Sequence, residues 1–138
     1  MKVTTLWLTN FYNASYKFCA MMKAMDEEKA GRNSRKKRSD CPVSNALDVF
    51  GDRWTLVVVR DLTFGKSRFS ELAEGPEKIP TNILADRLKQ LEQFEVIERV
   101  AYQERPKRYA YHLTKKGRDL APVLQAMADW GQRHMGET

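Results

Sequence analysis

Cysteine and histidine are scarce in this chain, with two of each in 138 residues. Cys19 and Cys41 lie far apart, with no CxxC pair and no histidine at ligand spacing, which argues against a zinc site or a disulfide framework. His112 falls on an expected strand and His134 near the chain end. No serine or cysteine has a base at a motif spacing, and there is no glycine-rich phosphate loop, so neither an enzyme nor a cofactor is expected. Long apolar runs are missing too: nothing approaches the ~18 residues of a membrane helix. The opening residues break their apolar run with threonine and asparagine and offer no small-residue cleavage site, so the expected location is the cytoplasm, with no membrane partner.

What is present is a net charge of +6, unevenly placed. Residues 1–39 carry nine Lys or Arg against three Asp or Glu, while residues 40–138 carry fifteen of each. The basic excess therefore belongs to the N-terminal segment, and a nucleic-acid argument for the remainder must rest on where its charges cluster. The length suits one core rather than two. Residues 1–40 read as an N-terminal extension. Aromatics at Trp7, Phe11, Tyr12, Tyr16 and Phe18 follow no sustained period, and a shift to polar sequence after Met25 places the expected translation start near that methionine. Residues 29–40 have the composition of a disordered basic arm.

From Cys41 the pattern becomes regular, and the domain is expected over 41–138. Pro42, Val43, Ala46, Leu47 and Phe50 give a first helix closed by Gly51, and Asp52 can cap a second, from Arg53 to about Leu62, that is apolar around most of its girth. Ser67 can cap a short helix bearing Phe69, Leu72 and Ala73. Gly75, Pro76 and Lys78 then turn the chain into a two-faced helix over about 80–94. Ile83, Leu84, Leu88 and Leu91 stripe one side of it, leaving Thr81, Asn82, Ala85, Asp86 and Lys89 outward. Two strands follow within about 96–113, around the basic tip Glu104-Arg105-Pro106-Lys107-Arg108. A last helix, capped by Thr114 and bent at Pro122, carries the apolar positions Leu120, Val123, Leu124, Met127, Trp130, Gly131 and His134, which a second copy would cover. The expected fold is mainly α with a small β-hairpin, a winged helix-turn-helix with additional N- and C-terminal helices.

Short polar side chains on the outward face of the two-faced helix suit base edges in a major groove, which nominates Thr81, Asn82, Ala85, Asp86 and Lys89 as base contacts. Thr81 and Asn82 could instead serve only the first free amides of the helix. Arg68, Lys78, Arg105, Lys107 and Arg108 are the phosphate candidates, and Arg87 is either a phosphate contact or the partner of a neighbouring glutamate. Cys41, at the start of a helix whose dipole favours thiolate, is either a redox sensor or a passive cysteine at a helix start.

Cys-Pro-Val at 41–43, Gly-Asp-Arg-Trp-Thr-Leu at 51–56, Phe-Gly-Lys-Ser-Arg-Phe-Ser-Glu-Leu at 64–72, Ile-Pro-Thr-Asn-Ile-Leu-Ala-Asp-Arg-Leu at 79–88 and Leu-Thr-Lys-Lys-Gly-Arg at 113–118 together resemble the HxlR-type transcriptional regulators. The resemblance covers about residues 41–134. It implies a bacterial homodimer that binds double-stranded operator DNA, with terminal helices at the dimer interface and wings flanking the duplex. It also implies that a small-molecule effector is conceivable, and that some relatives sense oxidants through the cysteine at the start of the first helix. Glu95 and Lys78 depart from it, because the family often has glycine at both positions. The alternative is a winged-helix module that binds a protein or a ligand without reading DNA.

Overall fold

The computed structural model describes residues 39–136, so the expectations for Met25 and the basic arm lie almost entirely outside the described residues. The described chain falls into two units divided between Asp48 and Val49. Its elements run α1 (Pro42–Phe50), α2 (Thr55–Thr63), α3 (Phe69–Ala73), α4 (Thr81–Gln93), β1 (Ile97–Glu104), β2 (Lys107–Leu113), α5 (Lys115–Arg118) and α6 (Ala121–Met135).

Helix α2 starts where the Asp52 carboxylate accepts from the amides of Trp54 and Thr55, at 2.9 and 3.2 Å, two of the donors that a helix start leaves free. From there it places Val58, Val59 and Leu62 in the core. Helix α4 brings Leu84, Leu88 and Leu91 to the same core, each at most 2 % exposed; burying each contributes about 1.5–3 kcal/mol. Val96 and Ile97, at the start of the hairpin, complete the cluster, with Leu72 from α3 and Ile79 from the turn before α4.

The core also contains an acid. Asp61, 6 % exposed, lies within 2.7 Å of Arg60 and 2.9 Å of Lys66. Arg60 reaches on to Glu77 at 2.7 Å, tying α2 to the turn that leads into α4. A buried carboxylate without partners would neutralise or destabilise the fold, and two cations let it stay charged.

The hairpin pairs antiparallel, Ile97 with Leu113 at its base and Glu104 with Lys107 at its tip, and the Arg105–Pro106 peptide at the tip is cis. The loop before α3 lies along its free edge, where Arg68 bridges Ala110 and the Tyr111 amide donates to the Ser67 carbonyl at 2.7 Å.

Three local expectations need correction. Ser67 does not cap α3: the Glu71 carboxylate reaches back instead and accepts from the amides of Ser67 and Arg68 at 2.9 and 3.0 Å. Helix α2 begins at Thr55 rather than Arg53, because Asp52 engages the amides after it. Pro122 does not bend a long helix. Thr114 caps only the four residues of α5, accepting from the Gly117 amide at 3.2 Å, and a new helix begins with Pro122 in its first turn, where a missing donor costs nothing.

Candidate nucleic-acid interface

The base-reading candidates stand together on the face of α4 away from the core. Thr81, Asn82, Ala85, Asp86 and Lys89 are all exposed. Pro80 occupies the helix N-cap and no side chain caps the helix, so the hydroxyl of Thr81 and the amide of Asn82 are not spent on its first amides. Among the described residues, Asp86 and Lys89 form no ion pair, which leaves a donor and an acceptor on a rigid rod facing solvent.

Both ends of this helix are held in unusual backbone. Lys78 and Glu95 take positive φ, 51° and 58°, at the two positions where glycine is the easier residue. Glu95 therefore accepts the unfavourable conformation and the turn is kept. Behind it, the last carbonyls of α4 meet the start of the C-terminal segment. Lys116 Nζ donates to the Phe94 carbonyl and Thr114 Oγ1 to the Glu95 carbonyl, each at 2.6 Å, while the Thr114 amide donates to the Val96 carbonyl at 3.1 Å. A cation on the final carbonyls of a helix also complements its dipole.

The hairpin carries the basic tip. Arg105, Lys107 and Arg108 are exposed there, and Lys107 Nζ lies 5.6 Å from the centre of the Tyr109 ring. Arg68 is exposed beside the hairpin with its guanidinium 4.9 Å above the Tyr102 ring, and Arg99 sits 4.7 Å above Tyr109 while pairing with Glu92 at 3.1 Å. Stacking on an aromatic face holds a long cationic side chain in place without neutralising it. Lys78 is exposed in the turn before α4. The sequence reading missed the tyrosine partners Tyr102 and Tyr109, one on each strand of a hairpin that also carries Arg99 and Lys107.

Arg87 is the site residue the structure moves. At about 100° per residue it lies on the core side of α4, roughly opposite the exposed polar face. Its Nε comes within 3.4 Å of Asp52 and its terminal nitrogen donates to Gln90 at 2.7 Å. The partner is an aspartate from the α1–α2 loop, not a neighbouring glutamate. The guanidinium is thus directed at the α1–α2 loop and Gln90 rather than along the exposed polar face. Burial pushes the Asp52 carboxyl up, but the hydrogen bonds from Thr55 and the Trp54 amide, with the charge of Arg87, bring it below its ordinary value.

The C-terminal helix splits its apolar set. Leu120 and Leu124 are partly buried against the core of their own chain. Val123, Met127 and Trp130 are 46, 53 and 55 % exposed, with His134 tilted against Trp130 at a ring distance of 5.1 Å and Gly131 on the same helix. A shallow apolar cavity of about 530 Å³ runs along Pro122, Val123, Ala126, Met127 and Trp130. Cys41 is partly exposed just ahead of α1. Among the described residues no cluster of His, Cys, Asp or Glu could hold a metal ion, and no helix is long and apolar enough to cross a membrane.

A helix-turn-helix followed by a two-stranded hairpin defines a winged-helix protein. A family model described as HxlR-like helix-turn-helix matches residues 49–138. The chain is 38 % identical over 94 residues to the HTH-type transcriptional regulator YdeP of Bacillus subtilis, covering 68 % of this chain and 73 % of that one. Mycobacterial relatives of the same identity are longer, and the chain spans 58 % of them. Among solved structures, the reduced form of the regulator YodB from B. subtilis matches with a TM-score of 0.58 at 38 % identity, over 68 % of this chain and 93 % of that one. The redox regulator HypR in its oxidized form matches with a TM-score of 0.63 at 33 % identity, over 68 and 97 %. The chain belongs to the HxlR-like helix-turn-helix family of transcriptional regulators, proteins that are not enzymes.

Proposed function

We propose that this protein is a homodimeric regulator that reads operator DNA with the exposed face of α4 and holds the backbone with its wing. The observation that carries the reading is the division of α4 into a leucine face fixed in the core and an outward face of Thr81, Asn82, Ala85, Asp86 and Lys89 without partners among the described residues. Asn82 offers a bidentate pairing to adenine, and Lys89 reaches guanine or phosphate. Arg68, Lys78, Arg105, Lys107 and Arg108 supply backbone contacts, which position the protein without reading sequence. The second copy covers Val123, Met127 and Trp130, so that two α4 helices address half-sites about one DNA turn, roughly 34 Å, apart. Neutralising Arg105, Lys107 and Arg108 together tests the wing: binding to all duplexes weakens and the salt dependence becomes shallower by roughly 0.9 per cation removed. A module that binds protein or ligand without DNA would show no such slope.

A redox input through Cys41 is the second reading. It is favoured by the position of this thiol ahead of α1, where the helix dipole stabilises thiolate, and by the name of HypR as a redox regulator. Unchanged DNA affinity of the wild type after diamide treatment would exclude it.

A further inference from the structure

We infer that Asp52 and Arg87 form a positioning pair that sets the rotation of the recognition helix about its own axis. The inference rests on the reading of α4 as the DNA-reading element and goes beyond it, because neither residue touches the base-reading face. Three leucines fix α4 against the core, but apolar contacts are non-directional, and a rod seated on Leu84, Leu88 and Leu91 can roll by some degrees at small cost. Arg87 removes that freedom. It stands on the core side, with its Nε 3.4 Å from Asp52 and its terminal nitrogen on Gln90 at 2.7 Å. Gln90, one residue short of a turn further on, reaches the Val49 carbonyl in the last turn of α1 at 3.4 Å.

Both attachments run to the α1–α2 corner, and that corner is itself fixed, because the same Asp52 carboxylate caps α2 through Trp54 and Thr55. One anion therefore faces the positive end of α2 and a cation of α4 together. Its side chain is 26 % exposed and that of Arg87 30 %, so water screens the pair only in part. Among the described residues Arg87 Nε is buried without a hydrogen bond, so it is the Asp52 charge 3.4 Å away that holds it, while the terminal nitrogen is fixed by Gln90. A roll of ten or twenty degrees would leave the leucines buried while moving Asn82 and Lys89 off the base edges they address, and productive recognition tolerates only about 10–20° of misorientation.

The test uses full-length protein and two duplexes, the fragment that the wild type protects beside its own gene and a scrambled version of it. Anisotropy titrations over a salt series are run with Arg87→Met, Asp52→Asn and the double variant. Asp52→Asn keeps a side-chain oxygen for the α2 amides, so it remains informative where Arg87→Met folds poorly. Each single variant is expected to lose at least fivefold in preference for the protected fragment, with scrambled-duplex affinity and salt slope unchanged, and the double variant to lose no more than the worse single one. A preference that survives in both overturns the inference. So does an equal loss on both duplexes with a slope shallower by about 0.9, which marks Arg87 as a phosphate ligand. Amide exchange in the free protein decides the point without DNA: faster exchange across Thr81–Lys89 in Arg87→Met is expected, and unchanged exchange refutes it. A wild type that prefers no duplex would sink the regulator reading alone, leaving the exchange result to stand.

Discussion

Gly117 offers a direct test of how the recognition helix is joined to the C-terminal segment. A Cβ built there lies 2.2 Å from the Val96 carbonyl oxygen and 2.9 Å from Leu113 Cδ2. The first neighbour is backbone, held by the Thr114 amide and hydroxyl at 3.1 Å each, so it cannot rotate away as a flexible side chain would. Relief requires α5 and the start of β1 to part by nearly 1 Å. Parting them weakens the two bonds to Val96, about 1 kcal/mol each, and loosens packing around Ile97 and Leu113 at the 1–3 kcal/mol typical of an overfilled site. Gly117→Ala should therefore cost about 3 kcal/mol or more, which in a chain of this size lowers Tm by roughly 10 °C. Calorimetry or thermal circular dichroism reads this directly. Gly65→Ala is the control: its Cβ meets nothing within 4 Å, and only its φ of 96° is unfavourable, a cost of about 1 kcal/mol. A Tm for Gly117→Ala within 2 °C of wild type, or above that of Gly65→Ala, would refute the reasoning.

Glu95→Gly should stabilise by up to about 1 kcal/mol, since it relieves a φ of 58° at a position where the native backbone favours glycine; a lower denaturant midpoint would count against that. Glu77 is held down to about 2 by its hydrogen bond from Arg60. A carboxyl depressed on folding stabilises above its unfolded pKa, so the Tm difference between wild type and Glu77→Gln should be present at pH 7 and fade between about pH 4.5 and 2. It should stay small, as the carboxylate is largely solvated. A difference that persists at pH 2 contradicts the assignment. Met127→Glu places a charge in the proposed interface and should convert a dimer to a monomer in light scattering without lowering helix content; a variant that stays dimeric would move the interface elsewhere.

The elements that organise the site were legible where one signal dominated. The stripe of Ile83, Leu84, Leu88 and Leu91 specified both faces of α4, and the alternation of Tyr109, Tyr111 and Leu113 specified β2. Errors came where several local signals competed. Ser67 and Glu71 both could serve the start of α3, and the carboxylate won by reaching two amides together. Pro122 read as a bend because the apolar spacing continued through it, yet the chain restarts there after the turn closed by Thr114. Arg87 was ambiguous because its place beside Asp86 looked like the edge of a polar face, while its partner Asp52 is thirty-five residues away in sequence. Long-range ion pairs leave no periodic trace. The buried Asp61 did leave one, as an acid flanked by Arg60 inside an apolar helix.

Sequence reading by the outward face of α4 would leave a base-specific footprint. Quantitative footprinting on the DNA beside its own gene, with wild type, Asn82→Ala and Lys89→Ala, tests it most directly. Two protected half-sites about one helical turn apart are expected, with loss of protection at specific bases in each variant while scrambled-duplex binding persists. Protection that is indifferent to sequence, or unaffected by both substitutions, would contradict it.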